Sequence, residues 1–381
     1  MHPLCLLLVV VCTLWTLLGA ASVVVVTRRR RAPGARETPP VTVLKPLCGA
    51  EPSLARNLLS FLEQDYPDYE ILLGVESADD PAVAVVRELL SQNPGRRARL
   101  VVHDVKHGTN PKVRNLRGML AHAAHDLVVV SDSNIHAPPT YLRDLVEEYQ
   151  RGPVQAGLVT NLVRGEGIDG LGGALESVQL AGFCAAGIAG PSLVGEALVM
   201  GKSMLFSRSV LDELGGLECL SNVLAEDYVM GKMFQHAGYP VRVARTVVGN
   251  VASGATLSSF AARQLRWAML RCRLRPLAYL FEPVTSPLAM LPFAAVLLGP
   301  WAFAWALSLL VVRDGGQWLV VAGRRDVGVA IGVSPLRELL SLWAWARAPF
   351  HRHLAWRGHR VRLSSGSLAY VRAAGRNDGS G

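Results

Sequence analysis

An acidic triplet follows one of the most apolar short segments in the middle of the chain. Asp132-Ser133-Asn134 comes directly after residues 127–131, whose sequence Leu-Val-Val-Val-Ser is typical of a buried strand. A carboxylate at a strand end can bind Mg²⁺ or Mn²⁺, which prefer oxygen ligands and accept diphosphate oxygens as further ligands. The triplet could instead form an Asx turn that ends the strand. Asp132 is therefore a candidate metal ligand, and both interpretations stay open.

A second acidic loop, at residues 76–80, follows the strand-like segment at 70–75. Glu76 and Asp79 could hydrogen-bond a nucleobase or a ribose. Alternatively, Asp79 or Asp80 caps a helix that starts at Pro81. The two interpretations are compatible, because different residues of the loop can serve each purpose.

A third acidic pair, Glu226-Asp227, precedes a helical stretch at residues 229–236. Asp227 could act as a general base that takes a proton from an acceptor hydroxyl. It could also stabilise the helix through the positive end of the helix dipole. The spacing alone favours this second interpretation.

Basic residues lie at two predicted helices. Lys112 stands at a helix start, where a lysine can reach a phosphate, although a solvated lysine is more common. Arg263, Arg266 and Trp267 lie on a helical segment at residues 257–271. Guanidinium groups suit a diphosphate and tryptophan suits a ring. An amphipathic helix on anionic lipid is the alternative.

Two other patterns in the sequence do not predict a functional site. Gly201-Lys202-Ser203 ends like a phosphate-binding P-loop, but the upstream glycine, Gly195, is one residue too far away. The six cysteines are scattered without a Cys-x-x-Cys pair. They predict neither a zinc site nor a disulfide framework, and they fit a reducing compartment.

The elements that position these residues alternate between strand and helix four times. Such alternation predicts an α/β domain with a parallel sheet and helices on both faces. Ligands bind such sheets beyond the carboxyl ends of the strands, where the acidic loops lie. The predicted strands are 41–44, 70–75, 100–103 and 127–131, and the predicted helices are 51–64, 81–92, 112–124 and 139–149.

The ends of the chain are apolar. The chain has 381 residues, of which 50% are hydrophobic and 18% charged, which is too apolar for a disordered chain or an ordinary soluble enzyme. Residues 4–26 carry no charge and are followed by four arginines at 28–31. This order predicts a transmembrane anchor with the rest of the chain in the cytoplasm, rather than a cleaved signal peptide.

A second apolar region begins near residue 284. Residues 284–312 carry no charge but contain three prolines, which predicts a kinked pair of spans or a re-entrant hairpin. Residues 317–333 and 336–350 are expected to be two weaker spans or interfacial helices. The apolar stretch at 171–193 either dips into the membrane interface or forms a buried helix.

The predicted organisation has six parts. They are an anchor at 1–27, a basic linker at 28–40, a catalytic domain at 41–255, an interfacial helix at 256–283, membrane-spanning or re-entrant helices at 284–350 and a basic cytoplasmic tail at 351–381.

Taken in order, the motifs of this chain resemble those of membrane-bound family-2-type glycosyltransferases with a GT-A fold. They resemble still more closely the ceramide glucosyltransferase family, which is family 21. The resemblance covers about residues 40–363, and its stretches are 43–49, 64–67, 79–82, 110–112, 132–135, 201–204, 225–228, 263–267 and 356–358.

The resemblance implies a GT-A fold with a mostly parallel, Rossmann-like sheet, an N-terminal anchor and C-terminal membrane helices. It implies that Asp132 binds the divalent cation and UDP, and that Asp227 is the catalytic base. Either Glu76 or Asp79 would replace the first family aspartate, where this chain has Ser77. The remaining residues implied to bind the nucleotide sugar are Lys112, Arg263, Arg266 and Trp267.

The implied reaction is an inverting transfer of glucose from UDP-glucose to the primary hydroxyl of ceramide. The alternative is transfer to another lipid such as a hopanoid, with UDP-N-acetylglucosamine as donor. A nucleic-acid partner is not expected, because only the net charge of +9 favours one. The absence of a long targeting tail favours a bacterial inner membrane, and an endomembrane facing the cytosol is the alternative.

Overall fold

The computed structural model describes residues 3–30, 37–196, 198–351, 353–356 and 359–362. Part of the predicted linker, most of the predicted tail and two residues of the 356–358 motif lie outside the described residues.

The centre of the molecule is an eight-stranded sheet with the order β3-β2-β1-β4-β7-β6-β8-β5. The first four strands pair in parallel, whereas β7 lies antiparallel between β4 and β6. The predicted alternation of strands and helices is therefore confirmed, within a mixed sheet. The strands are β1 Val41–Pro46, β2 Tyr69–Val75, β3 Ala98–Val102, β4 Leu127–Ser131, β5 Ile135–His136, β6 Leu158–Glu166, β7 Ser203–Ser207 and β8 Val241–Val251.

Helices cover both faces of this sheet. In β4, Val128 and Val130 belong to one hydrophobic core and Leu127 and Val129 to the other, because side chains alternate along a strand. The helices of this domain are α2 Leu54–Leu62, α3 Ala82–Gln92, α4 Pro111–Leu120, α5 Tyr141–Tyr149, α6 Gly170–Gln179, α7 Ala185–Ser192, α8 Arg208–Glu213 and α9 Glu226–His236.

The remaining helices belong to the apolar ends of the chain. They are α1 Pro3–Thr27, α10 Leu257–Leu274, α11 Pro276–Leu280, α12 Leu291–Leu298, α13 Trp301–Leu310, α14 Gln317–Val321 and α15 Val327–Arg347, followed by the hairpin of β9 His353–Trp356 and β10 His359–Arg362. Helix α12 has 8 residues and is about 12 Å long, too short to cross a bilayer core of about 30 Å. A turn at Gly299-Pro300 separates α12 from α13, and the two helices pack against each other.

Three helical segments of the described chain are long and apolar enough to cross a membrane: Pro3–Thr27, Gly170–Ser192 and Val327–Phe350. The third corrects the expectation of two weak segments divided near residue 335, because the helix continues through Pro335. Arg337 and Glu338, whose charges weakened the sequence signal, are buried there in ion pairs.

The segment Gly170–Ser192 consists of α6, a π-helical turn at Leu180–Cys184 and α7. In the most apolar 18-residue window of this segment 72% of the residues are buried, since the segment packs against α1, α15 and the sheet. The structure therefore agrees with the buried-helix alternative, and the segment does not lie free at an interface.

A buried network of four charges ties α6 to the C-terminal helices. The Arg313 guanidinium lies 3.0 Å from Asp314 and 2.6 Å from Glu338. Arg337 lies 3.2 Å from Asp314 and donates to the Gln179 amide oxygen of α6 at 3.1 Å. The network has equal numbers of positive and negative groups, so each buried charge has a compensating partner.

Candidate active site

The Asp132 carboxylate follows β4 and is surrounded by lysines. The Lys112 ammonium lies 2.8 Å from its Oδ1, and the Lys202 ammonium lies 3.8 Å from its Oδ2. Burial alone would raise the pKa of Asp132, but Lys112 and Lys202 outweigh burial and hold it below its usual range. The carboxylate is therefore ionised at neutral pH and available to a cation.

Lys112 occupies a position lined by oxygen atoms. Besides Asp132, its Nζ donates to the Gly201 carbonyl at 2.7 Å and lies 3.3 Å from Glu226 Oε1. Asn110 fixes the start of α4, since its side-chain oxygen accepts from the Lys112 and Val113 N–H groups. Burial lowers the pKa of Lys112, but Asp132 and Glu226 together raise it above its usual value, so the ammonium stays charged.

Lys45, at the end of β1, holds the backbone of the site. Its Nζ donates to the Asp132 carbonyl at 2.6 Å and lies 3.7 Å from the centre of the Phe61 ring. The side chain is fully buried, and burial holds the pKa of Lys45 well below its usual value. This lysine therefore fixes the direction of the chain at Asp132 from inside the core.

Asp227 contacts both the start of α9 and the loop at Gly201. It lies in the first turn of α9, where its Oδ1 accepts from the Tyr228 N–H at 2.8 Å. Its Oδ2 accepts from the Gly201 N–H at 2.7 Å, which places it beside the carbonyl that Lys112 binds. The half-buried carboxylate faces the same loop as Lys112, so helix stabilisation does not remove it from the site.

Glu226 is a buried carboxyl that the sequence analysis did not assign. It accepts from the Asn110 amide at 3.1 Å and pairs with Lys112. Burial raises the pKa of Glu226; Lys112 opposes this rise and the nearby Asp227 adds to it. Glu226 therefore links the start of α4 to the start of α9.

The residues of the arginine motif lie on α10. Arg263 forms an ion pair with Glu176, a buried residue of α6. Trp267 is half-buried and packs against one of the two cores of the sheet domain, and Arg266 is also half-buried. The motif thus joins α10 to the α6 segment that lines the domain.

The acidic loop after β2 contains the predicted helix cap. Glu76 accepts two hydrogen bonds from Arg114 of α4, at 3.0 and 2.9 Å, and Asp79 is exposed. Asp80 accepts from the Gly49 N–H at 2.9 Å and from the Ala82 N–H at 2.8 Å. Asp80 is therefore the capping residue, and Glu76 and Asp79 remain at the surface of the loop.

The structure thus brings Lys112, Asp132 and Asp227 together, whereas Arg263 pairs with Glu176 of α6. Sequence reasoning missed Lys45, Lys202 and Glu226. The Gly201-Lys202-Ser203 pattern was the available signal for Lys202, but it failed the P-loop spacing.

The sequence model of glycosyl transferase family 21 matches residues 5–369. The chain belongs to this family. It is 28% identical over 344 residues to ceramide glucosyltransferase 1 of Caenorhabditis elegans, covering 86% of this chain and 72% of the relative. It is 30% identical over 255 residues to ceramide glucosyltransferase 3 of the same organism, covering 65% of this chain and 53% of the relative.

The fold of this family 21 glycosyltransferase is also similar to that of a solved enzyme. A mannosyltransferase from Pyrobaculum calidifontis, determined with GDP-Man and Mn²⁺, superposes with a TM-score of 0.54 at 18% identity. The match covers 91% of this chain and 98% of that chain. The predicted family, GT-A fold and glycosyltransferase activity are confirmed.

The candidate site of this family 21 enzyme contains oxygen ligands for a divalent cation, but few of these ligands are carboxylates. Among the described residues there is no group of three or more His, Cys, Asp or Glu side chains placed to hold a metal ion. Asp132 supplies two carboxylate oxygens beside Ser133 and Asn134, which suits Mg²⁺ or Mn²⁺ in kind. The other ligands of such an ion would have to be diphosphate oxygens and water.

Proposed function

We propose that this family 21 enzyme transfers glucose from UDP-glucose to the primary hydroxyl of ceramide and forms glucosylceramide. The observation that carries the proposal is the convergence of Lys112, Asp132 and Asp227 on one loop, Gly201-Lys202, at the carboxyl end of β4. The names of the curated relatives support ceramide as acceptor.

The donor binds across the carboxyl ends of β2 and β4. Arg263 and Arg266 bind the diphosphate, because guanidinium groups form strong charge-assisted hydrogen bonds with phosphate oxygens. Lys112 lies near the donor and holds the Asp132 carboxylate in place. Trp267 shapes the acceptor site beside them. The loop with Glu76 and Asp79 supplies acceptors for the hydroxyl and N–H groups of the nucleoside.

Asp227 acts as the general base. Its carboxylate takes the proton of the primary hydroxyl while the hydroxyl oxygen bonds to the anomeric carbon. The bond from that carbon to the diphosphate oxygen breaks, and UDP leaves with the electron pair. Because the attack is a single displacement, the anomeric configuration inverts.

Asp132 is the residue that would hold a divalent cation at this site, together with oxygens of the donor diphosphate. When bound, Mg²⁺ or Mn²⁺ would supply positive charge to the leaving diphosphate. The similar mannosyltransferase was determined with Mn²⁺, which supports this choice of ion.

The enzyme is an integral membrane protein with a cytoplasmic catalytic domain. Three apolar helical segments support a membrane location, and α1 exposes Leu14, Trp15 and Leu18 to the surroundings. The arginines after α1 support the cytoplasmic side. A membrane location also suits the acceptor, whose hydroxyl lies at the level of the lipid headgroups.

The test is the mass of the product. The full chain is produced in a host without glycosphingolipids, supplied with ceramide and UDP-glucose, and its lipids are analysed by mass spectrometry. Asp227→Asn should reduce the hexosylceramide signal by about 10²- to 10⁴-fold, the contribution of a general base. Asp104→Asn is the matched control, because Asp104 is exposed on a loop.

A hexosylceramide of equal yield from Asp227→Asn would exclude Asp227 as the base. Absence of hexosylceramide from the wild type, with a hexosylated or N-acetylhexosaminylated hopanoid formed when that lipid is supplied, would contradict the ceramide assignment.

A further inference from the structure

Three lysines approach Asp132, and their hydrogen-bonding states differ. An ammonium has three N–H donors. Lys112 has acceptors at 2.7 and 2.8 Å and a third oxygen at 3.3 Å, so its donors are in use. Lys45 donates at 2.6 Å to the Asp132 carbonyl and contacts Ser131 Oγ at 3.3 Å. Both are therefore committed to the protein.

Lys202 makes no hydrogen bond as short as those of Lys112 and Lys45. Its Nζ lies 3.5 Å from Asn134 Oδ1 and 3.8 Å from Asp132 Oδ2. These distances exceed the usual 2.7–3.2 Å of a protein hydrogen bond. The side chain is 18% exposed, so water reaches it only in part. Lys202 thus brings a largely buried positive charge with donors to spare to the edge of the site.

The backbone around Lys202 is fixed, so its ammonium is held at the site. The Asp132 N–H donates to the Lys202 carbonyl at 3.3 Å, and β7, which starts at Ser203, pairs with β4. An ordinary ion pair with Asp132 does not explain the position, because Lys112 already makes the short contact to that carboxylate. A solvated lysine does not explain it either, since such a side chain would extend into water.

We propose that Lys202 binds the diphosphate of the nucleotide donor by donating from its ammonium to a phosphate oxygen. The proposal rests on the proposed function only in requiring a nucleoside diphosphate donor. A phosphate oxygen beside Asp132 would be within reach of the unused donors, and its negative charge would compensate the buried ammonium. Lys112 keeps the carboxylates of the site in place, and Lys202 is the lysine that contacts the donor.

Binding of UDP and of uridine to the purified full chain in detergent tests this role. Lys202→Met should weaken UDP binding by about 10- to 100-fold, because a hydrogen bond to a charged group is lost. Uridine, which has no phosphate, should bind equally to variant and wild type. Lys202→Arg should recover part of the UDP affinity, and Lys106→Met, on an exposed loop, is the matched control.

The measurements are made with Mg²⁺ and again with EDTA. The loss caused by Lys202→Met should be larger in EDTA, because a divalent cation then no longer shares the diphosphate charge. Equal UDP affinity of Lys202→Met and Lys106→Met would overturn the proposal. An equal loss for UDP and uridine would also overturn it, since that result indicates a general change of the pocket.

These outcomes differ from a failure of the proposed function. A wild-type protein that binds UDP but forms no hexosylceramide would contradict the ceramide acceptor. The comparison of Lys202→Met with its controls would keep its meaning, because it involves no acceptor.

Discussion

Strand β4 has an aspartate just beyond each end, and the two are stabilised in different ways. Asp126 precedes the strand and accepts from the Ser207 hydroxyl at 2.7 Å and from the Ser209 N–H at 2.8 Å. Burial acts to raise the pKa of Asp126, but these hydrogen bonds hold it below its usual range. Asp132 follows the strand, and the charges of Lys112 and Lys202 lower its pKa instead.

The difference is in where the partners come from. The partners of Asp126, Ser207 and Ser209, are neighbours of each other at the start of α8, so the carboxylate binds a single helix start, although that start is 81 positions away in the chain. Those of Asp132 come from α4 and from the start of β7, which are far apart in the chain. Distant charges that converge on one carboxylate are costly to assemble, and such an arrangement is typical of a functional site.

The position of a surface cavity does not identify the functional end of β4. A shallow cleft of about 280 Å³ lies at the Asp126 end, lined in part by His125, Arg208 and Asp212. Its central carboxylate is already satisfied by hydrogen bonds, whereas the Asp132 end has an ammonium with unused donors. The chemical state of the side chains therefore locates the site better than the cavity does.

The contrast between the two ends of β4 predicts the largest effect on activity when Asp132 and Asp126 are each replaced. Asp132→Asn should lower kcat/KM by about 10²- to 10³-fold, because it removes the charge that binds the cation and orders the lysines. Asp126→Asn should leave kcat/KM within about twofold, as expected for a surface substitution. Steady-state kinetics with UDP-glucose and ceramide measure both. Similar losses in the two variants would show that the ends of β4 are not functionally distinct.

A smaller effect is expected from the loop that joins Lys112 to Asp227. A Cβ added at Gly201 would lie 2.9 Å from Asp227 Oδ2 and 3.1 Å from Lys112 Nζ, so at least one of these groups must move. Gly201→Ala should lower kcat by on the order of 10-fold, since small displacements of catalytic groups are costly.

The control for this loop is Gly95→Ala, because a Cβ at Gly95 meets no atom within 4 Å. It should leave kcat unchanged. If Gly201→Ala were as active as Gly95→Ala, Asp227 would not need its present position.

The sequence was sufficient for those parts of the site that depend on local pattern. The apolar segment before Asp132 predicted β4 with its observed bounds, and the position of Lys112 at the start of α4 followed from the residues before it. The motif order identified the family and, with it, the fold.

Sequence reasoning failed where the partners are distant. The antiparallel insertion of β7 beside β4 brings Lys202 next to Asp132, although the two are 70 positions apart. No periodic pattern of apolar residues in the sequence predicts such a pairing. Arg337 is a second example. Its charge weakened the sequence signal for a membrane helix, but in the folded chain Asp314, which is distant in sequence, compensates that charge.

The smallest effect concerns stability at the Asp126 end and depends on pH. A carboxyl whose pKa is lower in the folded than in the unfolded state stabilises the fold above its unfolded value, 3.8 for Asp126. This contribution is lost as the pH falls through the folded value. Asp126→Asn should therefore lower Tm at pH 6 by no more than about 2 °C, because the group is exposed, and should lower it less at pH 3. Thermal unfolding in detergent at both pH values measures the difference. An equal loss of Tm at pH 3 and pH 6 would mean that the charge of Asp126 is not what stabilises its cap, and the contrast with Asp132 would then rest on activity alone.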